Sequence, residues 1–95
     1  MIFPILVYKV VGHSMEPSIK DGSLVLVEKI THLFSSPKLN EVVLFKFKDK
    51  VFIKRISRRE NNSYYLTGDN YQDSLDSKEM GLIDRKDILG KVVYF

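Results

Sequence analysis

The chain has no cysteine and no tryptophan, only 2 histidines, and no long uninterrupted apolar run. Without cysteine there are no disulfides, thiolate zinc sites or cysteine nucleophiles, and the redox compartment stays open. A membrane-spanning helix needs about 20 apolar residues. The apolar start, Met1 to Val11, is shorter and is broken by Pro4 and Lys9. No positive segment precedes it and no small-residue cleavage site follows, so it does not read as a secretory signal. Its β-branched residues predict a first strand instead. Charge of one sign is also lacking. Fifteen basic against 12 acidic residues leave +3, which permits an acidic partner without demanding one.

What is present suits one globular domain over residues 1–95. The composition is 44% hydrophobic and 28% charged, which argues against disorder. Short β-rich runs separated by turn signals predict strands over Ile5–Val11, Ser23–Ile30, Asn40–Lys48, Val51–Arg58, Ser63–Thr67 and Ile88–Phe95. Asp21-Gly22, Asp49-Lys50 and Asn61-Asn62 read as turns, and Asp84 to Asp87 as one helical turn. Thr31 to Leu39, with Ser35-Ser36-Pro37, reads as a loop, and Gly68 to Gly81 as a long polar loop. The expected fold is all-β: a small sandwich or partly open barrel of about seven short antiparallel strands.

Two stretches carry chemistry. In Gly12-His13-Ser14-Met15-Glu16-Pro17-Ser18 a serine sits in a turn bounded by glycine and proline. Such a serine is usually a turn former, yet the setting also suits a backbone N–H aimed at a developing oxyanion. In Phe52-Ile53-Lys54-Arg55-Ile56 a lysine interrupts an apolar strand. Side chains two apart share a face, so Lys54 lies between Phe52 and Ile56. A lysine on an edge strand snorkels to water, whereas one held among these neighbours is desolvated toward its neutral form. Serine needs an adjacent base to act as a nucleophile. Ser14 and Lys54 thus form a candidate Ser-Lys dyad.

The same stretches resemble type I signal peptidases. Gly12 to Pro17 is similar to their Ser-Met-x-Pro box, and Ile53-Lys54-Arg55-Ile56 to their lysine box. Gly68-Asp69-Asn70, running on through Ser74, Asp76, Ser77 and Lys78, resembles their third box. The minimal size is closest to mitochondrial inner-membrane peptidase cores and nickel superoxide dismutase maturation proteases. The resemblance implies a serine endopeptidase that removes signal or leader peptides after small residues through an acyl-enzyme. Ser14 would be the nucleophile and Lys54 the base. Ser74 would orient the lysine, with Gly12 and His13 supporting the oxyanion site. Asp69 would pair with Arg55 and Asp76 with Lys78, and Met15 would line the substrate pocket. No cofactor or metal is implied. The partner would be an extended peptide or preprotein, with a membrane surface possible and no nucleic acid expected. Location would be membrane-associated on the extracytoplasmic face, or cytoplasmic in the absence of an anchor.

Departures from the family pattern sharpen these expectations. Gly12 stands where many relatives place a second oxyanion hydroxyl. Asn40-Glu41 replaces Gly-Asp, and Lys78 replaces an arginine, losing its bidentate fork. The family's transmembrane anchor and inserted second β domain have no counterpart here. Ser35-Ser36-Pro37-Lys38 satisfies S-x-x-K, but Pro37 opposes the helix that motif needs. Two other functions compete. One is a self-cleaving repressor-type protease core, which has a similar Ser-Met turn and strand lysine. The other is a β-barrel binder of single-stranded nucleic acid, in which Phe45, Phe47 and Phe52 would stack bases among Lys46, Lys48, Arg58 and Arg59.

Overall fold

The computed structural model describes residues 5–70 and 80–94. Met1 to Pro4 and the predicted Ser74, Asp76 and Lys78 lie outside the described residues. The chain is mostly β. Its strands are β1 (Ile5–Lys9), β2 (Leu24–Glu28), β3 (Val42–Phe47), β4 (Lys50–Glu60), β5 (Ser63–Thr67), β6 (Ile83–Asp84) and β7 (Ile88–Tyr94). They form one antiparallel sheet in the order β1-β2-β7-β3-β4-β5-β6. The expected all-β fold of short antiparallel strands is therefore what the sequence forms.

Alternation along the central strands divides the core in two. Val42, Leu44 and Ile53 pack with Val10, Met15, Ile19, Val25, Val27 and Val92. Val43, Phe45 and Ile56 pack on the other side with Tyr64, Leu66, Met80 and Ile83. β3 is thus buried on both faces, as its unbroken Val42-Val43-Leu44-Phe45 run requires. Each fully buried Ile or Leu side chain contributes about 1.5–3 kcal/mol to the folded state. At Gly90 the strands β7 and β2 come so close that an added Cβ would sit 2.6 Å from Val27 Cγ1 and 2.8 Å from the Glu28 carbonyl. Only glycine fits there.

Three local readings change. The segment after β2 holds a short helix, α1 (Thr31–Phe34), where a loop was expected. Glu28 starts it by accepting the Thr31 N–H (3.1 Å) and hydroxyl (2.6 Å). Arg85 holds its far end by donating to the carbonyls of His32 (2.7 Å) and Ser35 (3.2 Å). Second, β2 is only half-buried, because Leu24 and Leu26 point outward. Third, the β3–β4 loop is Lys48-Asp49, one residue earlier than expected. Both residues have positive φ (50° and 64°), and Phe47 pairs with Lys50 across the loop. That is the two-residue hairpin whose twist matches the strands. The expected helical turn is a 3-10 turn at Arg85–Asp87, capped by Asp84 accepting the Lys86 N–H.

Candidate active site

The Ser14 turn is built by local polar contacts and pinned by its apolar neighbours. Gly12 has φ +101°, a left-handed backbone that a serine side chain would strain. The absence of a hydroxyl at Gly12 is therefore matched to the backbone. The Gly12 N–H donates to Asp21 Oδ1 at 2.8 Å. Glu16 Oε2 accepts the Asp21 N–H (3.2 Å) and meets His13 Nδ1 (2.9 Å). The His13 bond first, and then the Asp21 N–H, hold the Glu16 carboxyl below its usual range. Met15 and Ile19 are 1% and 2% exposed in the first core cluster, so the turn is rooted on both sides of its polar residues. Ser14 is half-buried between exposed His13 and buried Met15.

Lys54 sits on β4 opposite Val43, which is itself fully buried. It is 1% exposed, and among the described residues it is the only polar or charged residue buried to this degree. Burial on this scale opposes the ammonium form. Its neighbour Arg55 points the other way and is tied to Asp69 by two parallel bonds, Nε to Oδ1 at 3.0 Å and Nη2 to Oδ2 at 2.9 Å. Arg55 Nη1 also donates to the Asn40 carbonyl at 2.9 Å. The Arg55 guanidinium holds the Asp69 carboxyl below its ordinary range, against the opposing push of burial, with help from the Ser18 hydroxyl. Asn40 takes φ 72°, a left-handed conformation that asparagine tolerates better than most residues. Burial pushes Glu41 up. The Lys38 N–H, His32 and Lys91 together outweigh it, and the net shift is down.

The two halves of the site meet at residues 69 and 70. Asn70 N–H donates to the Ser14 carbonyl at 2.8 Å, and Asn70 Nδ2 to the His13 carbonyl at 3.0 Å. The lysine strand is thereby joined through Arg55, Asp69 and Asn70 to the serine turn. Ser14 and Met15 also line a small cleft with Tyr8, Val10, Val11, Val51, Phe52 and Ile53. Its volume is about 40 Å³. The Tyr8 hydroxyl reaches toward the Val51 carbonyl at 3.4 Å, and burial pushes the phenol up. Sequence reasoning gave no role to Tyr8, Ser18 or Asn70. Asn70 lay inside a quoted box, while Tyr8 had no local signal beyond its place on the strand.

Of the aromatic residues that would stack nucleic-acid bases, Phe45 is fully buried and Phe47 and Phe52 are half-buried, with Phe52 stacked on Phe45 at 5.8 Å between ring centroids. That hairpin is core, with basic residues on its rim.

The family model for Peptidase S24-like proteins matches residues 4–93, and the chain belongs to that family. It is a serine peptidase domain related to signal peptidase I. Over 50 residues it is 46% identical to Signal peptidase I V of Bacillus subtilis (strain 168), a match covering 52% of this chain and 30% of that relative. Among the described residues no helix is long and apolar enough to cross a membrane.

Proposed function

We propose that this domain is a signal-peptidase-type endopeptidase in which Ser14 attacks the scissile carbonyl and Lys54 is the general base. The observation that carries the reading is the burial of Lys54, at 1% exposure, on the strand tied through Arg55 and Asp69 to the Ser14 turn. A desolvated neutral amine can accept the Ser14 hydroxyl proton as the Oγ–carbon bond forms. The Ser14 N–H donates to the resulting oxyanion. The lysine ammonium then gives its proton to the leaving amine, and the C–N bond breaks. Water, deprotonated by the same amine, hydrolyses the acyl-enzyme and frees Ser14.

Substrate class follows from the cleft and the sheet edge. The cleft beside Ser14 is small, about 40 Å³, which supports a small side chain at the cleavage site. Among the described residues β1 stands at the edge of the sheet order, which supports an extended substrate adding there as a further strand. The outward residues Ile5, Val7, Leu24 and Leu26 make that end of the sheet apolar, which supports work at a lipid surface. Ser74 as the lysine-orienting hydroxyl and the Asp76–Lys78 pair remain part of the reading by resemblance.

The test is cleavage of a quenched fluorescent peptide carrying Ala at the first and third positions before the scissile bond. Wild type is expected to cut after the alanine, with kcat/KM rising with pH as the amine loses its proton. Ser14→Ala and Lys54→Arg should each lose at least about 10³-fold, because arginine is effectively always protonated. Full activity in Lys54→Arg would assign the base elsewhere.

A further inference from the structure

We infer that Asn70 is a positioning residue for the oxyanion donor: its side-chain amide fixes the peptide plane whose other end is the Ser14 N–H. The inference rests on Ser14 being the nucleophile. The His13–Ser14 peptide carries the His13 carbonyl on one side and the Ser14 N–H on the other. The cis peptide bond of this turn is Glu16–Pro17, and the His13–Ser14 bond is trans. In a planar trans peptide the two groups point in opposite directions, so whatever aims the carbonyl also aims the N–H.

Among the described residues two donors engage the His13 carbonyl, which has two lone pairs. The Glu16 N–H reaches it at 3.1 Å from within the turn. Asn70 Nδ2 reaches it at 3.0 Å from 57 residues away, from outside the turn. The next peptide plane is held by the same residue, since the Asn70 N–H donates to the Ser14 carbonyl at 2.8 Å. Asn70 therefore grips both planes flanking the nucleophile, one through its backbone and one through its side chain. It follows Asp69, whose carboxylate is clamped by Arg55 next to the lysine. The orientation of the oxyanion donor is thus referenced to the strand that carries the base. Hydrogen bonding at a carbonyl also polarises its peptide and makes the N–H a stronger donor.

The experiment compares wild type, Asn70→Ala, Asn70→Asp and Ser14→Ala. Neither Asn70 variant can donate from its side chain at neutral pH, and both keep the backbone N–H. The probes are N-acetyl-Ala-Ala p-nitrophenyl ester, for kcat and KM, and N-acetyl-Ala-Ala aldehyde, whose serine adduct presents an oxyanion. Losing one oxyanion donor outright costs about 10²–10³-fold in kcat, and misaiming one should cost less. Both Asn70 variants are expected to lose about 10-fold in kcat with KM within about 2-fold, and to bind the aldehyde about 10-fold more weakly. The lysine limb of the pH profile and the Tm should stay in place. Unchanged kcat and aldehyde affinity would overturn the inference while Ser14→Ala remains inactive. So would a parallel loss of KM and Tm, which marks a merely structural contact. If Ser14→Ala hydrolyses the ester as fast as wild type, the nucleophile assignment itself fails and the inference falls with it.

Discussion

Replacing Lys54 by methionine should make the protein more stable while destroying its activity. The side chain is 1% exposed, faces Val43 across the β3–β4 pair, and lies on the face of Ile56 and Phe45. Methionine has nearly the same length and carries no charge to desolvate. Keeping an ionisable group at such a position costs several kcal/mol in desolvation, a cost that methionine does not carry. Hydrogen bonds lost with the amine cost about 1 kcal/mol each, so a net gain of about 2 kcal/mol is expected at pH 7. For a domain of this size that corresponds to a Tm higher by about 10 °C. Urea denaturation of both proteins at pH 7 reads the effect. A methionine variant that is less stable than wild type would refute the burial cost assigned to Lys54.

Two further outcomes follow from the same geometry. The Asp69 carboxyl is lowered from 3.8 by Arg55, so it contributes stability that is present above about pH 4 and lost as pH falls through its depressed range. Asp69→Asn should cost about 1 kcal/mol at pH 7 once solvent screening is allowed for, and the difference from wild type should vanish in acid, as thermal melts at pH 7 and below pH 3 would reveal. A difference that persists undiminished in acid would dismiss the ion pair as its source. Val7 and Leu26 are paired across β1 and β2 and both face outward. Val7→Glu/Leu26→Glu should reduce cosedimentation with vesicles of phosphatidylethanolamine and phosphatidylglycerol, and equal sedimentation of both proteins would remove the lipid-surface reading.

Much of this fold could be read from the chain because its signals are local. Alternation, apolar runs and turn residues located β3, β4 and β5. Ser14, Lys54 and Arg55 stood out because each breaks the pattern of its own segment. What escaped depends on contacts between distant segments. α1 is four residues long and keeps its end through Arg85, 53 residues away, so no helical period announces it. The outward turn of Leu24 and Leu26 is set by which neighbours β2 acquires, and an apolar run cannot disclose that. Asn70 resembled any loop asparagine until its amide was found against the His13 carbonyl.

The adjacency of Lys54 and Arg55 on β4 limits which insertions and deletions this gene could survive. The two cations occupy opposite faces, one buried beside Val43 and the other bound to Asp69. A slip of one residue exchanges them, because side chains alternate along a strand. Arginine would then enter the core position, where it cannot shed its proton. The two-residue Lys48-Asp49 loop sets that frame, so a single-residue change of length there should move Lys54 out of its buried position. Beyond Ile56 the strand has a bulge that already absorbs one extra residue against β5. Length variation among descendants of this sequence should therefore accumulate at the Asn61-Asn62 turn and be purged from the hairpin that leads into the lysine.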